Sequence, residues 1–183
     1  RARLIAMGNE DYGFVLVIHH IIGDGWSLGL MVEEIATLYE AFSHGEPSPL
    51  EKPRLQYKDL AFWQRNWLKG DQFREHLAYW AGRLGGELPV LALPLDRPRP
   101  ELPSGGGSRV RARLGPELTS AMRSLSRREA ATLNTVLLSG FLVLLHGYKA
   151  QDDILLGTAV AGRNRVETEG MIGCLINMLV LRT

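Results

Sequence analysis

The chain has 183 residues, enough to bury an ordinary core, with 21 basic and 20 acidic side chains and a formal charge of +1. That balance excludes the basic field that drives binding to nucleic acid or to an anionic membrane by counterion release. Apolar content of 45% with mixed charge is that of a soluble globular protein, and the most apolar run, 136–145, is broken by Ser139 and Gly140 and falls short of the about 20 residues a bilayer requires.

One cysteine, Cys174, excludes an internal disulfide framework and suits a reducing, cytoplasmic setting. The chain begins at Arg1 and ends inside an apolar run. Both ends read as cut from a longer protein, so a missing leader carries no weight.

In chain order, Arg3 to Met7 and Tyr12 to Ile18 read as two strands joined by the turn residues Gly8-Asn9-Glu10-Asp11. The second is almost wholly apolar toward its end and is expected to be buried on both faces. Ser27 suits an N-cap for a helix to about Phe42, in which Leu28, Val32, Ile35, Tyr39 and Phe42 share one face. Gly45 is its stop. Residues 55–84 hold seven aromatic side chains at helical spacing. They read as two helices broken near Gly70-Asp71, with the aromatics as a core stripe.

The stretch 94–108 carries four prolines and then three consecutive glycines, which reads as a linker and, lacking a following Lys-Ser/Thr, not as a phosphate loop. Ser108 to Leu114 alternates arginine with apolar residues as a strand does. Pro116 opens a helix to about Ala130, a more buried helix covers about Leu133 to Tyr148, and "ILLGTAV" and "MIGCLINMLVLRT" hold further strands separated by the polar break 161–165. The alternation places the fold in the α/β or α+β class.

The chemistry concentrates in "VLVIHHIIGDGWS", residues 15–27. Tandem histidines on a strand face opposite ways, and His44, His76 and His146 are scattered, so no metal ligand cluster forms. From the residues alone, a structural histidine pair and a single catalytic histidine both stay open.

The order His19-His20-x-x-x-Asp24-Gly25 resembles the His-His-x-x-x-Asp-Gly signature of condensation domains from nonribosomal peptide synthetases. Its His-x-x-x-Asp-Gly core is shared with chloramphenicol acetyltransferase. "YKDLAFWQRNWL" is similar to the family's Tyr-x-Asp-Tyr-Ala-x-Trp segment, with Leu60 for the second tyrosine, and "LPLDRPRP" to its linker. "YKAQDDILLGTAVAGRNRVETEGMIGCLINMLVLRT" resembles the stretch from Gly-Gln-Asp-Asp through Gly-Arg-x-x to Ile-Gly-x-Phe-Val-Asn-Thr. Leu175, Ile176 and Met178 replace Phe, Val and Thr there, and Asn177 is kept.

The resemblance implies a two-lobe chloramphenicol-acetyltransferase-like fold, present in part. Residues 1–93 would belong to the N-lobe, 94–108 to the inter-lobe linker and 109–183 to the C-lobe. It implies peptide-bond formation between a donor thioester and an acceptor amine, each held on the phosphopantetheine arm of a carrier protein, beside an adenylation domain. No cofactor or metal binds the domain itself. His20 is the expected catalytic residue, as base or as orienting group. His19, as a buried histidine, Asp24 and Gly25 would support it, with Arg163 or an arginine outside the chain pairing with Asp24. Asn177 is a candidate oxyanion contact or a strand asparagine bonding backbone, and Trp26 reads as core. Gly25 is expected to allow a backbone angle or close approach that a β-carbon would block. His19, with "DGWS" and the Asp-Arg-Pro-Arg-Pro linker, points to the subtype joining an L-donor to an L-acceptor. The alternatives are a stand-alone acyltransferase using an acyl-coenzyme A donor and a non-catalytic, partner-recruiting domain of the same fold.

Overall fold

The computed structural model describes all residues except Arg99, Pro103 and Ser104, together with the side chain of Lys149. Parts of the expected linker 94–108 therefore lie outside the described residues. The chain divides into two compact units, one of residues 1–86 with 157–180, the other of 87–156 with 181–183.

The first unit opens with the hairpin. β1 (Ala2–Ala6) pairs antiparallel with β2 (Tyr12–Leu16), in a register running from Ala2 opposite Leu16 to Ala6 opposite Tyr12. The Met7 N–H closes the turn on the Asp11 carbonyl at 2.8 Å. The chain leaves β2, makes one 3₁₀ turn (His20–Ile22) and enters α1 (Gly25–Ser43). The N-cap of α1 is Asp24 and not Ser27, because the Asp24 carboxylate accepts the Ser27 N–H at 2.9 Å. Past the end of α1, Gly45 takes a φ of +73°, a left-handed turn that suits glycine.

α2 (Tyr57–Trp67) starts in a capping box, the Gln56 N–H donating to Asp59 Oδ2 at 2.8 Å. α3 (Asp71–Leu84) follows the expected break. In the second unit, α4 (Pro116–Arg128) carries proline in its first turn and packs on α5 (Leu133–Lys149), which Thr132 caps. β3 (Leu155–Val160) pairs with β4 (Asn177–Arg182). Beside them Ile154 and Thr183 exchange both backbone hydrogen bonds, as an antiparallel pair does. The polar break runs into one short helix that the sequence pattern does not mark, α6 (Val166–Glu169).

Several burial expectations are corrected. Among the described residues the stretch 108–114 is no strand: it has no pairing partner, and Val110 is exposed. β2 is not buried on both faces, since among the described residues it has a single neighbour and Phe14 is half exposed. The α1 stripe faces solvent at Val32 and Tyr39, the aromatic stripe at Phe62 and Tyr79, and α5 at Val143 and Leu144. The cause is common to all four: amphipathic faces bury only against another layer, and two-stranded sheets supply little of one.

Among the described residues the buried apolar side chains are Ala41 and Met171 in the first unit and Leu145 and Ile154 in the second. Asp24, Ser27 and Thr168 are buried too, all in the first unit, and Ser27 is 0% exposed. The most deeply buried side chains in that unit are thus polar, and Asp24 and Ser27 among them follow the histidine loop directly.

Candidate functional site

The loop is built at the end of a strand. His19, extended at φ −78° and ψ 139°, caps the 3₁₀ turn: its Nδ1 accepts the Ile21 N–H at 3.1 Å. The Gly23 N–H closes the turn on the His20 carbonyl at 3.3 Å. Both histidine side chains are exposed, so His19 is not the buried histidine expected of it.

Below the loop lies a buried clasp. Asp24 Oδ1 accepts from the Ser27 N–H (2.9 Å), the Ser27 hydroxyl (2.8 Å) and the Arg163 guanidinium (3.1 Å), and Oδ2 accepts from the Leu175 N–H at 3.0 Å. The side chains of Arg163 and Asp24 are 1% and 3% exposed. Arg163 also donates to the carbonyls of Thr168 and Met171. The Ser27 hydroxyl lies 2.8 Å from the Gly173 carbonyl and 3.1 Å from the Gly173 N–H. With a single proton it serves either Asp24 or that carbonyl at one time, and accepts from Gly173 and Arg163.

A buried ion pair is tolerated where its remaining donors and acceptors are met, and here nearly all are. Only Arg163 Nε, among the described residues, is buried without a partner. Burial opposes ionisation of Asp24. The backbone and hydroxyl of Ser27, the Leu175 N–H and Arg163 outweigh it, holding the carboxyl well below the usual carboxylate range.

The clasp ties the loop to a segment about 150 residues away, and two glycines permit the approach. A β-carbon on Gly173 would strike the Tyr57 ring, with Cε2 at 2.9 Å. Gly162 has a φ of +68°, and a β-carbon there would run into the Leu175 carbonyl. Tyr57 donates its hydroxyl to the Cys174 carbonyl at 3.1 Å. Cys174 Sγ in turn lies 3.6 Å from His20 Nδ1.

The structure thus brings His19, His20, Asp24 and Arg163 to one place. Gly25 does not have the expected reason: a β-carbon there would meet no atom within 4 Å. Trp26 is not core. It is 49% exposed, its indole donates to the Glu169 carbonyl at 2.8 Å, and Arg163 lies over its ring. Asn177 Oδ1 accepts the Met178 N–H at 2.9 Å, and Asn177 lines a cavity of about 800 Å³ with Tyr57, Trp63, Trp67, His76 and Cys174. Sequence reasoning missed Ser27, Tyr57, Gly162, Gly173 and Cys174 as parts of the site. Ser27 had a signal, standing three residues after Asp24, but that spacing reads equally as a cap. Among the described residues no group of three or more metal-ligating side chains converges, and no single helix is long and apolar enough to cross a membrane.

The chain is similar to known proteins over its whole length. The chain is 43% identical over 182 residues to tyrocidine synthase 3 of Brevibacillus parabrevis, covering all of this chain and 3% of the synthase. It is 42% identical over 182 residues to malpinin synthetase of Mortierella alpina, again covering all of the chain and 2% of the synthetase. Among solved structures, the X-domain from teicoplanin biosynthesis superposes with a TM-score of 0.88 at 24% identity, over the whole chain and 42% of that domain. The first condensation domain of the calcium-dependent antibiotic synthetase, bound to a substrate analogue, superposes at 0.74 and 24% identity, over the whole chain and 39% of that domain. At that identity the structures speak for the fold, which is the α/β fold of condensation domains. The chain spans a small share of its relatives' length and about two-fifths of the solved domains. The family model for the condensation domain matches residues 1–183 from end to end, and the chain belongs to that family.

Proposed function

We propose that this chain carries the catalytic loop of a peptide-bond-forming domain. The amine of an aminoacyl group on one carrier protein attacks the aminoacyl or peptidyl thioester on another. The observation that carries the reading is His20, exposed on a 3₁₀ turn at a strand end, above a buried Asp24–Arg163 clasp that fixes the loop.

The energetics assign the histidine a late role. An α-amino group titrates at about 7.7–8.0, so roughly a tenth is neutral at pH 7 and freeing it costs about 1 kcal/mol. The amine nitrogen bonds to the thioester carbon and the carbonyl electrons move to oxygen. The nitrogen of that intermediate is cationic and acidic. His20 takes its proton, the C–S bond breaks with its electron pair on sulfur, and the proton then reaches the departing thiolate. Amide and free carrier thiol result. Asn177 is the candidate donor to the oxyanion. Asp24 and Arg163 act through the loop and do not touch the reactants.

The domain needs no cofactor of its own, because phosphopantetheine arms bring both substrates. Its partners are the donor and acceptor carriers and an adenylation domain, in the cytoplasm, and the donor is of L configuration. The N-lobe would comprise residues 1–93 and the C-lobe 109–183, with 94–108 between them. The exposed apolar faces of β2, α1 and α2 pack against the remaining part of the domain. The test supplies an intact synthetase module with preloaded L- or D-aminoacyl donor carriers, or with acyl-coenzyme A, and follows amide formation. Product from the L-donor carrier alone supports the reading. Product from acyl-coenzyme A without a donor carrier favours a stand-alone acyltransferase, and product from neither with a folded domain favours recruitment of a partner.

A further inference from the structure

The ion pair beneath the histidine loop holds more than the loop. It fixes the three residues on the opposite side. Gly173 donates its N–H to the Ser27 hydroxyl, with its carbonyl in reach of the same hydroxyl, and the Leu175 N–H is bound to Asp24. Between them, the Cys174 carbonyl is held by the Tyr57 hydroxyl at 3.1 Å. With both neighbours and its own carbonyl pinned, the backbone that carries the Cys174 side chain is held in place. The side chain points at His20, its sulfur 3.6 Å from Nδ1. In the family segment Ile-Gly-x-Phe-Val-Asn-Thr, Cys174 stands at the open position x.

We infer that Cys174 is a positioning residue for His20: its sulfur engages the Nδ1 side of the ring and presents Nε2 to the acceptor amine. This rests on the reading of His20 as the proton acceptor. A neutral imidazole bears one proton, on either nitrogen, and the partner of one nitrogen decides the state of the other. With Nδ1–H directed at sulfur, Nε2 keeps its lone pair and can take the proton of the attacking nitrogen. The imidazolium that forms still donates through Nδ1, so the contact survives the transfer. Sulfur is a weak acceptor, and its effect is that of one modest hydrogen bond.

The experiment uses the intact synthetase with both carriers preloaded, and measures single-turnover amide formation against pH for Cys174→Ala, Cys174→Val and Cys174→Ser. Ala and Val are expected to lower the plateau rate about 3–10-fold, the size of one neutral hydrogen bond, without changing half-saturation by the acceptor carrier. Ser, which can still accept from Nδ1, is expected to recover most of the rate. Nitrogen-15 shifts of His20 should show the Nδ1–H tautomer in the wild type and a loss of it in Cys174→Ala. A wild-type rate in Cys174→Ala overturns the inference. So does a fast Cys174→Val, which would make the contact one of packing only, or a Cys174→Ser as slow as Ala. If these variants are fast while His20→Ala is slow, only the role of Cys174 falls. If His20→Ala is also fast, the reading of His20 falls with it.

Discussion

Asp24→Ala should unfold the clasp before it alters any chemistry. Removing the carboxylate leaves the Arg163 guanidinium, 1% exposed, without its counter-charge. It also strips the acceptor from the Ser27 and Leu175 N–H groups and the cap from α1. Breaking a buried pair from one side costs about 3–5 kcal/mol. The lost cap, about 0.5–2 kcal/mol by itself, lies within that figure, since contacts of one network do not add. With a urea slope of about 2–3 kcal/mol/M, the unfolding midpoint of the complete condensation domain should fall by about 1–2.5 M. Asp24→Asn keeps one acceptor oxygen and removes the charge, and its effect should depend on pH. The depressed carboxyl contributes stability that is complete above its unfolded value of about 4 and is lost as pH falls through the lower folded value. The gap between wild type and Asp24→Asn should therefore be widest near neutrality and narrow below about pH 4. An unchanged midpoint for Asp24→Ala with lost activity would refute the structural role and move Asp24 into the chemistry.

Ser27→Ala should cost about 1–3 kcal/mol, because the buried Gly173 N–H loses its partner, and urea unfolding of the complete domain checks it. Gly162→Ala should cost about 1–3 kcal/mol from its left-handed φ alone and more from the Leu175 carbonyl, while Gly170→Ala, where a β-carbon meets nothing, should be neutral in the same assay.

The local elements were legible because their signals are local. Turn residues marked the β1–β2 hairpin, proline the start of α4, and Gly70 the α2–α3 break. Asp24 was legible as a partner for Arg163 through the motif around it. Ser27 was not: the three-residue spacing from Asp24 fixes the cap, but its binding to Gly173, 146 residues on, is written in no periodicity. The same holds for Cys174, whose meaning comes from His20, 154 residues before it. Burial was overread at Trp26, Val32 and Tyr39 because an apolar stripe states what a face prefers to touch and not what is present to touch it. The alternation at 108–114 failed likewise, since a strand exists only by pairing.

If His20 accepts a proton during amide formation, its removal should slow that step. The direct measurement is single-turnover dipeptide formation by an intact synthetase carrying His20→Ala, with both carriers preloaded so that loading does not limit the rate. Loss of a general base should slow the step by about 10²–10⁴-fold with the domain still folded. A fall of only about tenfold, roughly 1.4 kcal/mol, would assign His20 to orienting the amine. Product at the wild-type rate from a folded His20→Ala domain would contradict the account and leave the two histidines as the end of a strand.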